Sequence, residues 1–160
     1  MKNMIQSIIA FVALGLHWLK SEAVAANTYD AAVETHDATV RRTNDAAVSA
    51  RHLLWKKGSA DGGIALCGAG DVPLGPVDNT ETGTGSGQTV ALLGKGPTKK
   101  MVAAAAIGAG VRVYTAANGK VSVAPTGATV NLVGVALTAA ANADEIIEVN
   151  DCAPVSVTFA

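Results

Sequence analysis

The stretch Val111-Arg112-Val113-Tyr114-Thr115-Ala116-Ala117-Asn118-Gly119-Lys120-Val121-Ser122-Val123 decides the fold class. Val111 to Tyr114 alternates in the period-2 pattern of a half-buried strand. Asn118-Gly119 is the pair that a two-residue hairpin turn selects, because both turn positions need positive φ. Lys120 to Val123 then returns with the same alternation. The segment reads as strand, turn, strand.

The same pattern extends in both directions. Upstream, Leu53-Leu54-Trp55 stops at Lys57-Gly58, and Ile64-Ala65-Leu66-Cys67 stops at Gly68-Ala69-Gly70-Asp71. Val72-Pro73-Leu74-Gly75 leads into Pro76-Val77. Residues 78–88 (DNTETGTGSGQ) have loop composition. Thr89 to Leu93 is a strand stopped by Gly94 and Pro97, and Met101 to Ala106 is a strand expected to bend before Gly108 and Gly110. Downstream, Val130 to Leu137 carries Gly134, and Ile146–Val149 and Val155–Thr158 read as two closing strands. No long helical period appears after residue 45, and the spacing leaves no room for the ~10–15-residue helices of an α/β unit. The expected fold is mostly β, a small antiparallel β-barrel or sandwich.

A weak internal repeat underlies this order. The interval from Leu54-Trp55 to Val113-Tyr114 equals that from Leu74-Gly75 to Val133-Gly134. Thr89–Leu92 resembles Ile146–Val149 at a similar offset. Two such units would make a pseudo-duplicated barrel; chance agreement in a sequence rich in Ala, Val and Gly is the alternative.

Composition narrows the function. Apolar residues make up 49% of the 160-residue chain but aromatics only 4%, so large core anchors are few and association with other chains is a natural source of further burial. The net charge of −1 gives no broad field for nucleic acid. Cys67 and Cys152 form no CxxC, and His17, His36 and His52 lack ligand spacing, so reduced thiols are expected, with a disulfide between the two as the alternative, and no metal site. Gly83-Thr84-Gly85-Ser86-Gly87 is followed by neither Lys-Ser nor Lys-Thr, and a strand follows it instead of a helix, which argues against a phosphate loop. No serine sits in G-x-S-x-G. Asp61, Asp71, Asp78, Asp144 and Asp151 adjoin turn residues, whose backbone Asp caps readily. Asp144-Glu145 is a carboxylate pair, but neighbours on a strand face opposite ways. No enzyme activity and no cofactor are expected.

Segment 1–26 differs from the rest. Lys2, the uncharged run Ile8–Leu16 and Ala23-Val24-Ala25 match a secretory signal peptide, and the run is short for a membrane span of ~20 residues. The competing reading, favoured here, is a docking helix. Ile5, Ile8, Ile9, Val12, Leu16 and Leu19 follow helical spacing in one stripe, with Phe11, Leu14 and Trp18 beside it. Such a helix requires a partner surface, because ordering its backbone costs ~1–2 kcal/mol per residue. The expected partner-binding residues are Ile5, Ile8, Val12, Leu16, Trp18 and Leu19, then Tyr29. Residues 27–45 read as a polar arm or first edge strand anchored by Val33 and Val40, and the β-barrel domain as residues 46–160.

The order of segments resembles a known family. Residues 46–75 (AAVSARHLLWKKGSADGGIALCGAGDVPLG), 89–121 (TVALLGKGPTKKMVAAAAIGAGVRVYTAANGKV) and 132–155 (LVGVALTAAANADEIIEVNDCAPV) are similar to the opening, middle and end of phage capsid cement, or head decoration, proteins. The resemblance spans about residues 28–160 and lies in order and spacing, the single motifs being common. It implies a small β-barrel on the exterior of the virion's capsid, bound to the major capsid protein as a homo-oligomer, with a trimer favoured, and present in the host cytoplasm during assembly. It brings no catalytic residue, no nucleic acid and no membrane. The apolar segment 1–26 departs from the family pattern. An exported bacterial surface or adhesion module with a signal peptide is the alternative.

Overall fold

The computed structural model describes residues 38–47, 50–78 and 83–160. The chain divides into units Met1–His36 and Asp37–Ala160, and all described residues belong to the second. The helix expected over residues 1–26 lies outside them.

Ten strands among the described residues make up this unit: β1 (Thr39–Asn44), β2 (Leu54–Lys57), β3 (Gly63–Leu66), β4 (Gly75–Pro76), β5 (Gly87–Ala91), β6 (Lys99–Val102), β7 (Arg112–Thr115), β8 (Val121–Ser122), β9 (Thr129–Ala136) and β10 (Ile146–Thr158). They form two five-stranded sheets, ordered β4-β2-β3-β1-β5 and β6-β10-β9-β7-β8. The hairpin predicted at Asn118-Gly119 joins β7 to β8, but through a three-residue loop, Ala117–Gly119, in place of the two-residue turn. Both residues have positive φ, 59° and 70°, and Ala116 and Lys120 close the turn through Ala116 N–H to Lys120 O at 2.8 Å.

The repeat is present in the strand pairing itself. β1 and β5 pair Val40 with Val90, Arg41 with Thr89, Arg42 with Gln88 and Thr43 with Gly87. β6 and β10 pair Lys99 with Val149, Lys100 with Glu148, Met101 with Ile147 and Val102 with Ile146. Both members of these four pairs advance by the interval that separates Leu54 from Val113, so the register is repeated, the first ladder adding one further pair, Thr39 with Ala91. The bridge between Val77 and Val90 recurs as Ala136 with Val149. Each half also contains a parallel contact, Thr43 with Gly63 in the first and Ala103 with Val121 in the second. The Val77–Val90 bridge nearly closes the first sheet into a ring, and the Ala103–Val121 bridge does so for the second. Matched strand for strand, the two rings have one order.

The duplicated glycine has a steric reason. A Cβ on Gly75 would run into the carbonyl of Ala91 and lie 2.7 Å from its carbon. A Cβ on Gly134 would run into the carbonyl of Asn150 and lie 2.7 Å from Val149 Cγ1. Ala91 and Asn150 are themselves related by the repeat interval, so each half brings one strand so close to its neighbour that only glycine fits.

Two cores result. Val40, Leu53, Trp55, Ile64, Val77 and Val90 fill the first half, joined by Val102 from β6. Met101, Val113, Val121, Val133, Ala136, Ile147 and Val149 fill the second, joined by Leu54, Cys67 and Leu93 from the first. Successive residues Leu54 and Trp55 thus serve different cores, as strand alternation requires.

Two expectations need correction. Residues 27–45 do not end in an arm or edge strand, since β1 lies inside its sheet, parallel to β3 on one side and antiparallel to β5 on the other. The β domain therefore starts before residue 46. Arg41, Arg42 and Thr43 are exposed while Val40 and Asn44 are buried, so the strand shows too little apolar pattern to be recognised. The closing strands expected at Ile146–Val149 and Val155–Thr158 are one continuous 13-residue strand. Between Asp151 and Val155 the register against β9 shifts, and a bulge there bends the strand without ending it.

Candidate functional site

Polar side chains in this domain gather where the two halves meet. Gly68-Ala69-Gly70-Asp71, the loop after β3, docks on the second half through two residues. Thr115 donates its hydroxyl to Ala69 O and accepts the Asn131 N–H at 2.9 Å. Asn131 donates its side-chain amide to Asp71 O at 2.8 Å. Thr115 and Asn131 are buried, so their hydrogen bonds form away from competing water. The Asp71 carboxylate holds the loop from inside, accepting Lys56 Nζ at 2.7 Å and the Gly68 N–H at 2.8 Å. The Lys56 hydrogen bond, with that of Gly68, keeps Asp71 below the usual carboxylate range. A second contact across the halves comes from the β7–β8 turn, where Gly119 donates its N–H to Cys67 O at 2.7 Å.

The cysteines are free thiols. Burial and the nearby Asp71 push the Cys67 thiol up to about 12, so it is protonated near neutral pH and a poor nucleophile. Cys152 is half-buried, and its thiol is also raised, by burial and then Asp151.

The remaining carboxylates tie loops together. Asp144 pairs with Lys120 at 2.6 Å. Glu145 accepts the Ala141 N–H at 2.7 Å and Asn142 Nδ2 at 3.0 Å, which lowers its pKa, Asn142 contributing most. Asp151 accepts the Gly94 N–H at 2.6 Å, reaching across the sequence where the turn rule anticipated a local cap. His52 stands 3.6 Å from Asp78; its pKa is lowered by burial, which outweighs the raising effect of Asp78. Lys99 is buried along its stem and donates its ammonium to Lys95 O at 3.1 Å and Pro97 O at 3.0 Å. Among the described residues no three His, Cys, Asp or Glu side chains converge as a metal site would need.

The fold is shared with a phage head fiber. The crystal structure of the N base of head fiber gp8.5 in bacteriophage phi29 superposes with a TM-score of 0.51, at 19% identity, over 69% of this chain and 90% of that one. At that identity the likeness is one of fold. No protein-family model matches the chain, and no curated protein does.

The described surface of this domain carries several apolar side chains. Here Val72, Val111, Val123, Leu137, Ile146 and Val155 are exposed. Leu137 and Ile146 flank the loop between β9 and β10, so they present apolar surface at one end of that hairpin. The residues expected to bind a partner, Ile5, Ile8, Val12, Leu16, Trp18, Leu19 and Tyr29, all lie outside the described residues. Sequence reasoning missed Thr115 and Asn131, whose partners are 46 and 60 residues away. Nothing local marks a tertiary contact of that length.

Proposed function

We propose that this chain is a virion structural protein that binds the outer surface of a phage head and bridges neighbouring major capsid subunits. The observation that carries the reading is the fold shared with the gp8.5 N base of a phage head fiber. The order of segments over residues 28–160, similar to head decoration proteins, supports it independently.

The physical demands of that task suit the chain. A specific contact needs an interface of about 1,000 Å² or more, and many copies on one lattice gain avidity, so each contact can be weak. The chain supplies a small duplicated β scaffold and an apolar leading segment with few charges. In this reading Ile5, Ile8, Val12, Leu16, Trp18 and Leu19 form the docking stripe, Tyr29 adds a contact, and the β domain lies over subunit boundaries. The protein performs no catalysis and uses no cofactor.

The test is co-sedimentation of the purified full chain with heads that lack it. Saturable binding is expected, and Ile8→Asp or Val12→Asp should abolish it while the β domain keeps its circular dichroism spectrum. Absence of binding by the unaltered chain overturns the reading. Binding that both variants retain overturns the docking stripe.

A further inference from the structure

The two halves touch through a contact that runs in one direction. Gly119, in the turn between β7 and β8, donates its N–H to Cys67 O at 2.7 Å. A Cβ on Gly119 would lie 3.1 Å from Leu53 Cβ and 2.8 Å from Leu66 Cδ1. The turn of the second half is thus seated where β2 begins and β3 ends in the first. Val102 of β6 enters the first core, whereas Thr43, its counterpart in β1, is exposed.

Strand pairing identifies the matching features of each half. Trp55 pairs with Leu66 and Gly75, and Val113 pairs with Gly134. Gly75 and Gly134 are counterparts, so Val113 matches Trp55, one residue off the sequence interval. One step beyond the pair of Tyr114 with Ser122, the β7–β8 ladder sets Val123 against Val113, as Leu66 is set against Trp55. Val111 precedes β7 as Leu53 precedes β2. Ile64, opposite Lys57, matches Val121, opposite Thr115. Gly62 therefore matches Gly119, and their φ values are 71° and 70°.

The reciprocal contact is not made among the described residues. Ser59, Ala60, Asp61 and Gly62 are exposed, and a Cβ on Gly62 would meet nothing within 4 Å. On the second half Val111 and Val123 are 38% and 41% exposed, whereas Leu53 is buried and Leu66 half-buried. Val72, also exposed, stands three residues before Gly75, as Asn131, which binds the loop after β3, stands three before Gly134. The first half thus keeps a free turn, and the second a free apolar seat of the kind that a turn already fills.

We propose that the chain associates head to tail with further copies of itself, the Gly62 turn of one copy seating on Val111 and Val123 of the next. Gly62 N–H then bonds Ala124 O, since Ala124 follows Val123 as Cys67 follows Leu66. Another copy is the occupant because the chain already holds the matching turn in the matching seat, so the fit is built into the repeat. The contact removes Val111 and Val123 from water. A contact between unlike surfaces forms a ring when its rotation closes, and the trimer implied by the family resemblance is a ring of that kind. The contact goes beyond the capsid-binding reading and is independent of it.

Sedimentation equilibrium of the full chain should show a discrete oligomer. Val123→Asp should raise its Kd about ten-fold or more, since a carboxylate would be carried into an apolar contact. In a Cys152→Ala background, with Cys67 buried, Asp61→Cys chains mixed with Val123→Cys chains should be linked by a short bismaleimide, and neither variant should be linked to itself. A monomer at the highest soluble concentration, an oligomer indifferent to Val123→Asp, or links formed as readily by one variant alone would each overturn the proposal. So would a Val123→Cys thiol shielded from maleimide in a monomer, which would make residues 1–37 the cover. The cross-linking comparison decides it even if Val123→Asp unfolds the chain.

Discussion

The two halves of the β domain follow one strand plan and fill it with different side chains. At the constant repeat interval, Val40 in the first half corresponds to Lys99 in the second, Gln88 to Ile147, and Trp55 to Tyr114. All six are buried, but their chemistry is exchanged freely. Lys99 occupies its position only because its ammonium reaches two carbonyls of the loop before β6. The backbone features are less exchangeable. The glycine that lets β4 approach β5 recurs where β9 approaches β10, and four pairs of the β1–β5 register recur residue for residue in β6–β10. Backbone approach and register therefore define the architecture, and side-chain identity is the looser constraint.

That comparison is most readily broken at the glycines. Gly75→Ala and Gly134→Ala should each destabilise the domain by about 3 kcal/mol, the upper range for forcing atoms into a packed site. Gly75→Ala should be the worse, because its Cβ meets backbone where that of Gly134 partly meets the Val149 side chain. Urea unfolding of the two variants measures this, and a cost below that of an ordinary surface change would remove the steric reading. The aromatic pair comes next. Trp55→Ala should cost about 3 kcal/mol or more from the first core. In the second half, Tyr114 makes an edge-on contact with Phe159 at 5.2 Å between ring centroids. Phe159→Leu should therefore cost only about 1 kcal/mol.

The contact between the halves gives a smaller effect. Thr115→Val keeps the shape but leaves the Asn131 N–H and Ala69 O without their partner, at a cost of about 2 kcal/mol. Native-state hydrogen exchange should show the Asn131 amide losing protection in that variant while β1 and β5 keep theirs. The smallest expected effect is in acid. The folded-state pKa of Asp71 is depressed, so its stabilisation is present above its unfolded pKa of about 4 and is lost as pH falls through the lower folded value. The folded-state pKa of His52 is also depressed, so protonation favours the unfolded chain and stability declines below about pH 6.5. Stability of His52→Gln should be flatter between about pH 7.5 and 5.5, and that of Asp71→Asn flatter below about pH 4.

The local grammar of the fold was legible in the sequence. The Asn118-Gly119 turn, the strand positions and the repeated Leu-Gly and Val-Gly pairs each have a short-range cause. β1 was not legible, because Arg41, Arg42 and Thr43 conceal a strand whose two neighbours come from residues 63–64 and 87–91. The unity of β10 was obscured by Asp151-Cys152-Ala153-Pro154, which resembles a turn but forms a shift in register. Ring closure by Val77–Val90 and Ala103–Val121 depends on long-range pairing that no local pattern encodes. The expected binding stripe over Ile5–Leu19 lies outside the described residues, whereas the free surfaces at Gly62 and at Val111 and Val123 could be recognised only once the contact between the halves was known.

The most direct test of the account is the number of copies of this chain per particle, measured by quantitative mass spectrometry of purified virions. The account predicts a fixed copy number that is a whole multiple of the equivalent sites on the head lattice. Absence of the chain from purified virions, or an amount that varies between preparations, would contradict it.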